Sequence, residues 1–175
     1  MSLNTRRIAF AGILAAVYAV LTWLCQPLAY GAVQFRFSEA LIVLCCFTPA
    51  AIPGMVVGCV AANIATTLRF PVIDIVFGSL ATLLASLLTW RMSRRLEERP
   101  GLAWLILLPN ILCNAAIVGA EIAYFFSGGK AFLPTFGYSA LTVGLGEAAV
   151  MYALGAPLLL WLLKNKALSR RLREI

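Results

Sequence analysis

Tyr30-Gly31-Ala32-Val33-Gln34-Phe35-Arg36-Phe37-Ser38-Glu39 is the first place in the chain where an acid and a base approach a membrane-length apolar run from the same end. Within ten residues it gathers two polar-tipped side chains (Tyr30, Gln34), two plain aromatics (Phe35, Phe37) and the pair Arg36/Glu39. A loop of this make-up can stack on a flat molecule and hydrogen-bond its edge. What it does depends on which end of the molecule it occupies, and the flanking runs decide that.

Those runs are membrane-like. The 175 residues are 62% hydrophobic and 12% charged, with a mean hydropathy of +0.94. Apolar stretches of about 20 residues recur, the length a helix needs to cross hydrocarbon. Alternating short strands are absent, which leaves a helical bundle. A single transmembrane domain over 1–175 is expected, with little room for a soluble one. The net charge of +7 sits on residues flanking apolar runs, with no interleaved aromatics, so it reads as topology-setting charge rather than a nucleic-acid surface. Cys25, Cys45, Cys46, Cys59 and Cys113 lie inside apolar runs without C-x-x-C spacing and read as small apolar fillers. There is no histidine, so the commonest metal ligand is missing; neither a metal nor a cofactor is expected. Arg6-Arg7 followed by an apolar run faintly resembles a secretory signal, but the run is too long and is read as a first membrane helix.

Parity of crossings then orders the chain. Helix 1 is expected over about Arg6–Pro27. A broken apolar stretch covers Ala40–Leu68, another run Val72–Trp90, a fifth helix about Leu102–Phe126, and a sixth from near Tyr138 to Leu163. Lys and Arg in short loops mark the cytoplasmic side, so Arg6/Arg7, the Arg91–Arg99 cluster and the tail Lys164–Arg173 belong together inside. Helix 1 exits and Val72–Trp90 re-enters, so Ala40–Leu68 must cross zero or two times. Pro49 and Pro53-Gly54 in its middle favour two short helices joined by a tight turn. The expectation is an all-α bundle of six transmembrane helices with both termini cytoplasmic. The inner residues then carry eleven bases against three acids. The rest hold Arg36, Arg69 and Lys130 against Glu39, Asp74, Glu121 and Glu147.

Every acid beyond the cytoplasmic fringe thus falls in the outer half. Glu39 and Asp74 open helices; Glu121 lies about 8 Å below the outer end of helix 5, and Glu147 about 14 Å past Tyr138, at 1.5 Å per residue. Ionisable groups at such depth are costly and face a cavity or a partner. Asn110, Asn114 and Glu121 share one face of helix 5, and Tyr138 and Thr142 are read as lying on the side of Glu147. Two readings stay open. The amides and acids can bridge helices, with Glu39 and Asp74 as helix-start residues favoured by the dipole. Alternatively they converge on a pocket for a small, flat, nitrogen-rich molecule, with carboxylates accepting from N–H edges and Arg36 donating to a ring carbonyl. The candidate substrate-binding residues are Tyr30, Gln34, Arg36, Glu39, Asn110, Asn114, Glu121, Tyr138 and Glu147. On helix 1, Ala11, Ala15 and Ala19 form a small-residue ridge that serves either internal packing or the docking of a partner.

The runs Gln34-Phe-Arg-Phe-Ser-Glu39, Phe47-Thr-Pro-Ala-Ala-Ile-Pro53-Gly, Asp74-Ile-Val-Phe-Gly78, Asn114-Ala-Ala-Ile-Val-Gly-Ala-Glu121 and Val143-Gly-Leu-Gly-Glu147 resemble the QueT family, over about Ile8–Leu163. The resemblance implies the S component of an energy-coupling factor (ECF) transporter, a six-helix substrate-binding subunit of a bacterial cytoplasmic membrane. Its ligand would be a queuosine precursor of the 7-deazaguanine type (preQ1, preQ0 or queuine). Ala11, Ala15 and Ala19 would match the contact with the transmembrane coupling subunit, and two ATP-binding subunits would supply energy. The chain has no G-x-x-x-x-G-K-[ST] loop of its own. A membrane enzyme is disfavoured by the missing nucleophile and metal apparatus. A stand-alone carrier or channel is the alternative, though the sequence offers neither a charged ring nor a paired broken helix at mid-membrane.

Overall fold

Proline marks the start of several helical segments of this chain. The computed structural model describes residues 3–29, 33–66, 71–96, 100–126 and 131–175. Of the eight prolines, Pro27, Pro53, Pro71, Pro100, Pro109, Pro134 and Pro157 each fall within the first three positions of a helical segment. At Pro53, Pro71, Pro100 and Pro134 the missing N–H has no intrahelical acceptor to lose, whereas Pro109 and Pro157 lie inside the stretches Trp104–Phe125 and Phe132–Lys164, each directly after a 3-10 or π-helical segment. Pro49 sits in the turn whose chain reversal is held by Ala51 N–H donating to the Thr48 carbonyl at 3.2 Å.

The elements are α1 (Leu3–Leu24), a single turn α2 (Gln26–Ala29), a 3-10 helix (Phe37–Cys46), α3 (Ala51–Thr66), α4 (Pro71–Leu96) and a second 3-10 helix (Pro100–Leu107). They are followed by α5 (Leu108–Glu121), α6 (Phe132–Val150), α7 (Ala156–Lys164) and α8 (Lys166–Arg173), with π-helical segments at Ile122–Phe126 and Met151–Gly155. Four stretches are long and apolar enough to cross a membrane: Asn4–Leu24, Val72–Arg94, Trp104–Phe125 and Phe132–Lys164. Phe37–Cys46 and Ala51–Ala65 are shorter apolar helices. The expected division of Ala40–Leu68 into two short helices is therefore present. The expected start of helix 6 near Tyr138 is not, because Pro134 is tolerated in a first turn and the helix begins at Phe132.

Phe37–Cys46 is the axis of the bundle. It touches α1, α3, α4, α6 and α7, while α1–α3, α3–α4, α4–α5 and α5–α6 pack as neighbours around it. Ten residues are long for a 3-10 helix, and at about 2.0 Å rise per residue they cover about 20 Å rather than the 15 Å of an α-helix. The stretch lets a short segment reach further through the bundle. In a 3-10 helix residues three apart eclipse one another, and Glu39, Ile42 and Cys45 form one such row, wholly buried. Against this helix α4 presents Thr82, Ser86, Thr89 and Ser93, all buried, at four- and three-residue steps that keep to one face. Small hydroxyl side chains allow the close approach, and Ser93 Oγ donates to the Cys46 carbonyl at 3.3 Å.

The two ends of the bundle differ. At one, Arg7 Nε donates to the Ile175 carbonyl, Arg173 lies over the Phe47 ring at 5.8 Å, and Ser93 meets Cys46. The N-terminus of α1, the turn after the 3-10 helix, the end of α4 and α8 are thus gathered together. The basic tail is a helix rather than a loose segment: the Asn165 side chain caps α8 by accepting from Leu168 N–H at 3.1 Å, and Leu172 is buried against the core. At the other end, Asp74 opens α4 and Glu121 closes α5.

Candidate functional site

Arg36 is the hinge between sequence and site. It is buried just before the 3-10 helix, with Nη1 3.7 Å from where a Cβ on Gly78 would stand. Gly78 precedes Arg95 on α4 by seventeen residues, about 26 Å of helix, so Arg36 lies at the end away from the basic cluster. Asn63 of α3 also abuts Gly78 and donates through Nδ2 to the Asp74 carbonyl at 2.9 Å. A side chain at position 78 would displace both.

One turn deeper along α4 stands Glu39, fully buried in the first turn of the 3-10 helix. Its Oε1 accepts from the Tyr18 hydroxyl at 2.5 Å, and Thr82 Oγ1 lies 3.3 Å from the same oxygen. Thr22, one turn after Tyr18, shares a 2.6 Å hydrogen bond with Ser38. Three elements, α1, α4 and the 3-10 helix, therefore hold this carboxylate.

The amides of α5 serve the second deep acid. Asn114 Nδ2 donates to Asn110 Oδ1 at 3.2 Å, and Asn110 Nδ2 donates to Glu147 Oε2 at 3.1 Å. Glu147, Asn110 and Asn114 are buried. Glu39 and Glu147 are close enough for their charges to interact, and Arg36 acts on both. It also acts on Glu121, whose other neighbour is Asp74. Gln34 seals this side: its backbone passes over Gly146, where a Cβ would stand 2.2 Å from the Gln34 carbonyl oxygen. Gln34 is thus laid directly against the turn of α6 that carries Glu147.

Several acceptors in this group have no hydrogen-bond donor among the described residues: Glu39 Oε2, Glu147 Oε1, Glu121 Oε1 and Asn114 Oδ1. Buried acceptors without donors cost about 1–3 kcal/mol each, and four of them fall within this one group.

Gln34, Arg36, Glu39, Asn110, Asn114, Glu121 and Glu147 are thus all buried in one connected region. Tyr30 lies outside the described residues. Tyr138 does not join them. It is 66% exposed, because nine residues separate it from Glu147 and nine steps of a 3.6-residue helix bring it to about the opposite face. The buried face of α6 is instead Ser139, Val143, Gly146, Glu147 and Val150. Glu147 also lies fifteen residues from the start of α6, about 22 Å, deeper than a start at Tyr138 implies. Tyr18, Thr82 and Asn63 were missed by a reading that followed charges. The signal was present: Tyr18 and Thr22 are four apart in an apolar helix, and Thr82, Ser86, Thr89 and Ser93 repeat on one face.

The small-residue ridge of α1 is divided between two uses. Gly54 of α3 sits against the Ala11 carbonyl and Gly58 against the Ala15 carbonyl and Tyr18, so the ridge packs internally on α3. Ala11, Gly12 and Ala15 also line an apolar groove of about 550 Å³ at the basic end, with Arg7, Ile8, Pro49, Ala50, Pro53 and Val57. Ala19 is half-buried against the core.

The family profile described as QueT transporter matches residues 8–164. The chain belongs to the QueT transporter family. No curated protein and no solved structure matches it. Membership in QueT makes the chain a membrane transport protein and not an enzyme, in keeping with its helices and apolar surface. The match also runs through each segment that builds the buried region, from α1 to α7, so site and family occupy the same part of the chain.

Proposed function

We infer that this QueT protein is the substrate-capturing S component of an ECF-type importer in a bacterial cytoplasmic membrane, and that its ligand is a queuosine precursor of the 7-deazaguanine type. The chain crosses the membrane six times with both termini inside. The two short helices Phe37–Cys46 and Ala51–Thr66 complete the four long ones. The outer end captures the ligand, and the groove beside Ala11, Gly12 and Ala15 receives the transmembrane coupling subunit, which brings two ATP-binding subunits.

The observation that carries the reading is the concentration, among the described residues, of acceptors without donors beside the Arg36 guanidinium at the end remote from the basic cluster. A 2-amino-pyrimidinone edge offers adjacent N–H donors and a carbonyl acceptor. Glu39 Oε2, Glu147 Oε1 and Asn114 Oδ1 can take the donors, and Arg36 can donate to the carbonyl. Gln34 closes over the ligand. Native mass spectrometry of the purified chain, with a thermal-shift panel of 7-deazaguanines against thiamine and riboflavin, tests it. A 7-deazaguanine should co-purify or raise the melting temperature, and a response confined to thiamine or riboflavin would contradict it. Uptake by the chain alone in liposomes, without ATP-binding partners, would favour an independent carrier.

A further inference from the structure

The deep acids do not exhaust the carboxylates of this region. Glu121 closes α5 seven residues after Asn114, about 10 Å further toward the non-basic end. It is only 3% exposed, and its Oε1 has no donor among the described residues. Asp74, half-buried at the start of α4, is near enough to act on its charge. The order along α4 is Thr82 beside Glu39, Gly78 beside Arg36, then Asp74 beside Glu121. Among the described residues, one guanidinium thus stands among three buried glutamates, with a fourth carboxylate at the rim.

We propose that Glu121, supported by Asp74, is a separate subsite for a primary ammonium group carried on a short side arm of the ligand, and that it selects aminomethyl-bearing bases over nitrile-bearing ones. The inference rests on the 7-deazaguanine reading of the deeper acids. An ammonium brings three donors and a positive charge, and its charge-assisted bonds to carboxylate oxygens are the strong kind. A nitrile brings one weak acceptor. Placed against Glu121 Oε1 it would leave that oxygen without a donor and oppose two acceptors. In this arrangement the bicyclic base is bound by its amino edge at the deep acids, with its one-carbon arm directed toward Glu121. A merely structural acid pair bridging α4 and α5 would treat both ligands alike.

The test is equilibrium binding of aminomethyl- and cyano-7-deazaguanine to the purified full chain and to Glu121→Gln, an isosteric change that removes the charge. The wild type should hold the amine at least about tenfold more tightly than the nitrile, the scale of one charged hydrogen bond. Glu121→Gln should weaken the amine by about that factor and the nitrile by less than about twofold; retained nitrile binding also shows that the variant is folded. Equal affinities in the wild type, or parallel losses in the variant, would overturn the ammonium subsite while leaving the deep site standing. Binding of neither base by the wild type would instead remove the substrate reading beneath it, and this subsite with it. Should Glu121→Gln fail to fold, Asp74→Asn at the rim is read in the same way: selective loss of the amine supports the subsite, and a uniform or absent effect contradicts it.

Discussion

The Tyr18 hydroxyl donates to Glu39 Oε1 at 2.5 Å, joining the middle of α1 to the first turn of the 3-10 helix at the bundle axis. Both residues are buried, so neither partner has water to fall back on. Tyr18→Phe keeps the ring and removes the donor. It should destabilise the protein by about 1–3 kcal/mol, measured by thermal or denaturant unfolding in one detergent. Ligand affinity should fall with it, because Glu39 loses the bond that orients it.

Asn110 and Glu147 form the equivalent pair on the α5 side. Asn110→Ala strips Glu147 Oε2 of its donor and Asn114 Nδ2 of an acceptor. Calorimetric titration of the variant should show at least about a tenfold loss of affinity, the scale of one charged hydrogen bond. A loss under about twofold would place Asn110 outside the site.

Two glycines on α6 give a matched comparison. A Cβ at Gly146 meets the Gln34 carbonyl oxygen at 2.2 Å, whereas one at Gly137 meets nothing within 4 Å. Gly146→Ala must push the loop off Glu147 and should reduce both stability and ligand affinity. Gly137→Ala should be neutral or stabilising by up to about 1 kcal/mol through helix propensity. Melting curves and binding titrations on the two proteins separate the outcomes.

Gly12 faces open space in the groove between α1 and the turn at Pro49. Gly12→Leu should leave ligand binding by the isolated chain unchanged, since the buried acids lie at the other end. Assembly with the coupling subunit should fail, as judged by co-purification, and ATP-dependent uptake should fail with it.

Much of this was legible because charge is rare in an apolar chain. Arg36, Glu39, Glu121 and Glu147 stand out against 62% hydrophobic residues, and the basic loops separate them from the other end. The turn at Pro49 was legible because proline cannot continue a ladder of N–H bonds. Three things were not. The 3-10 winding of Phe37–Cys46 leaves no mark in its apolar residues, and the segment is surrounded by α1, α3, α4, α6 and α7. Tyr138 falls away from the site because Pro134 permits a helix start at Phe132 and because nine residues place it half a turn out of phase with Glu147. Tyr18, Asn63 and Thr82 carry no charge and so drew no notice, although burial makes their hydrogen bonds as consequential as those of the acids.

The central claim is that the buried acids at the non-basic end are a binding site and not bridges between helices. Its most direct test is the affinity of aminomethyl-7-deazaguanine for the wild-type chain beside Glu147→Gln and Glu39→Gln, with unfolding curves taken on the same samples. Saturable one-to-one binding by the wild type, weakened at least about tenfold in both variants while each still unfolds cooperatively, is the predicted result. Unchanged affinity in both variants would contradict the account.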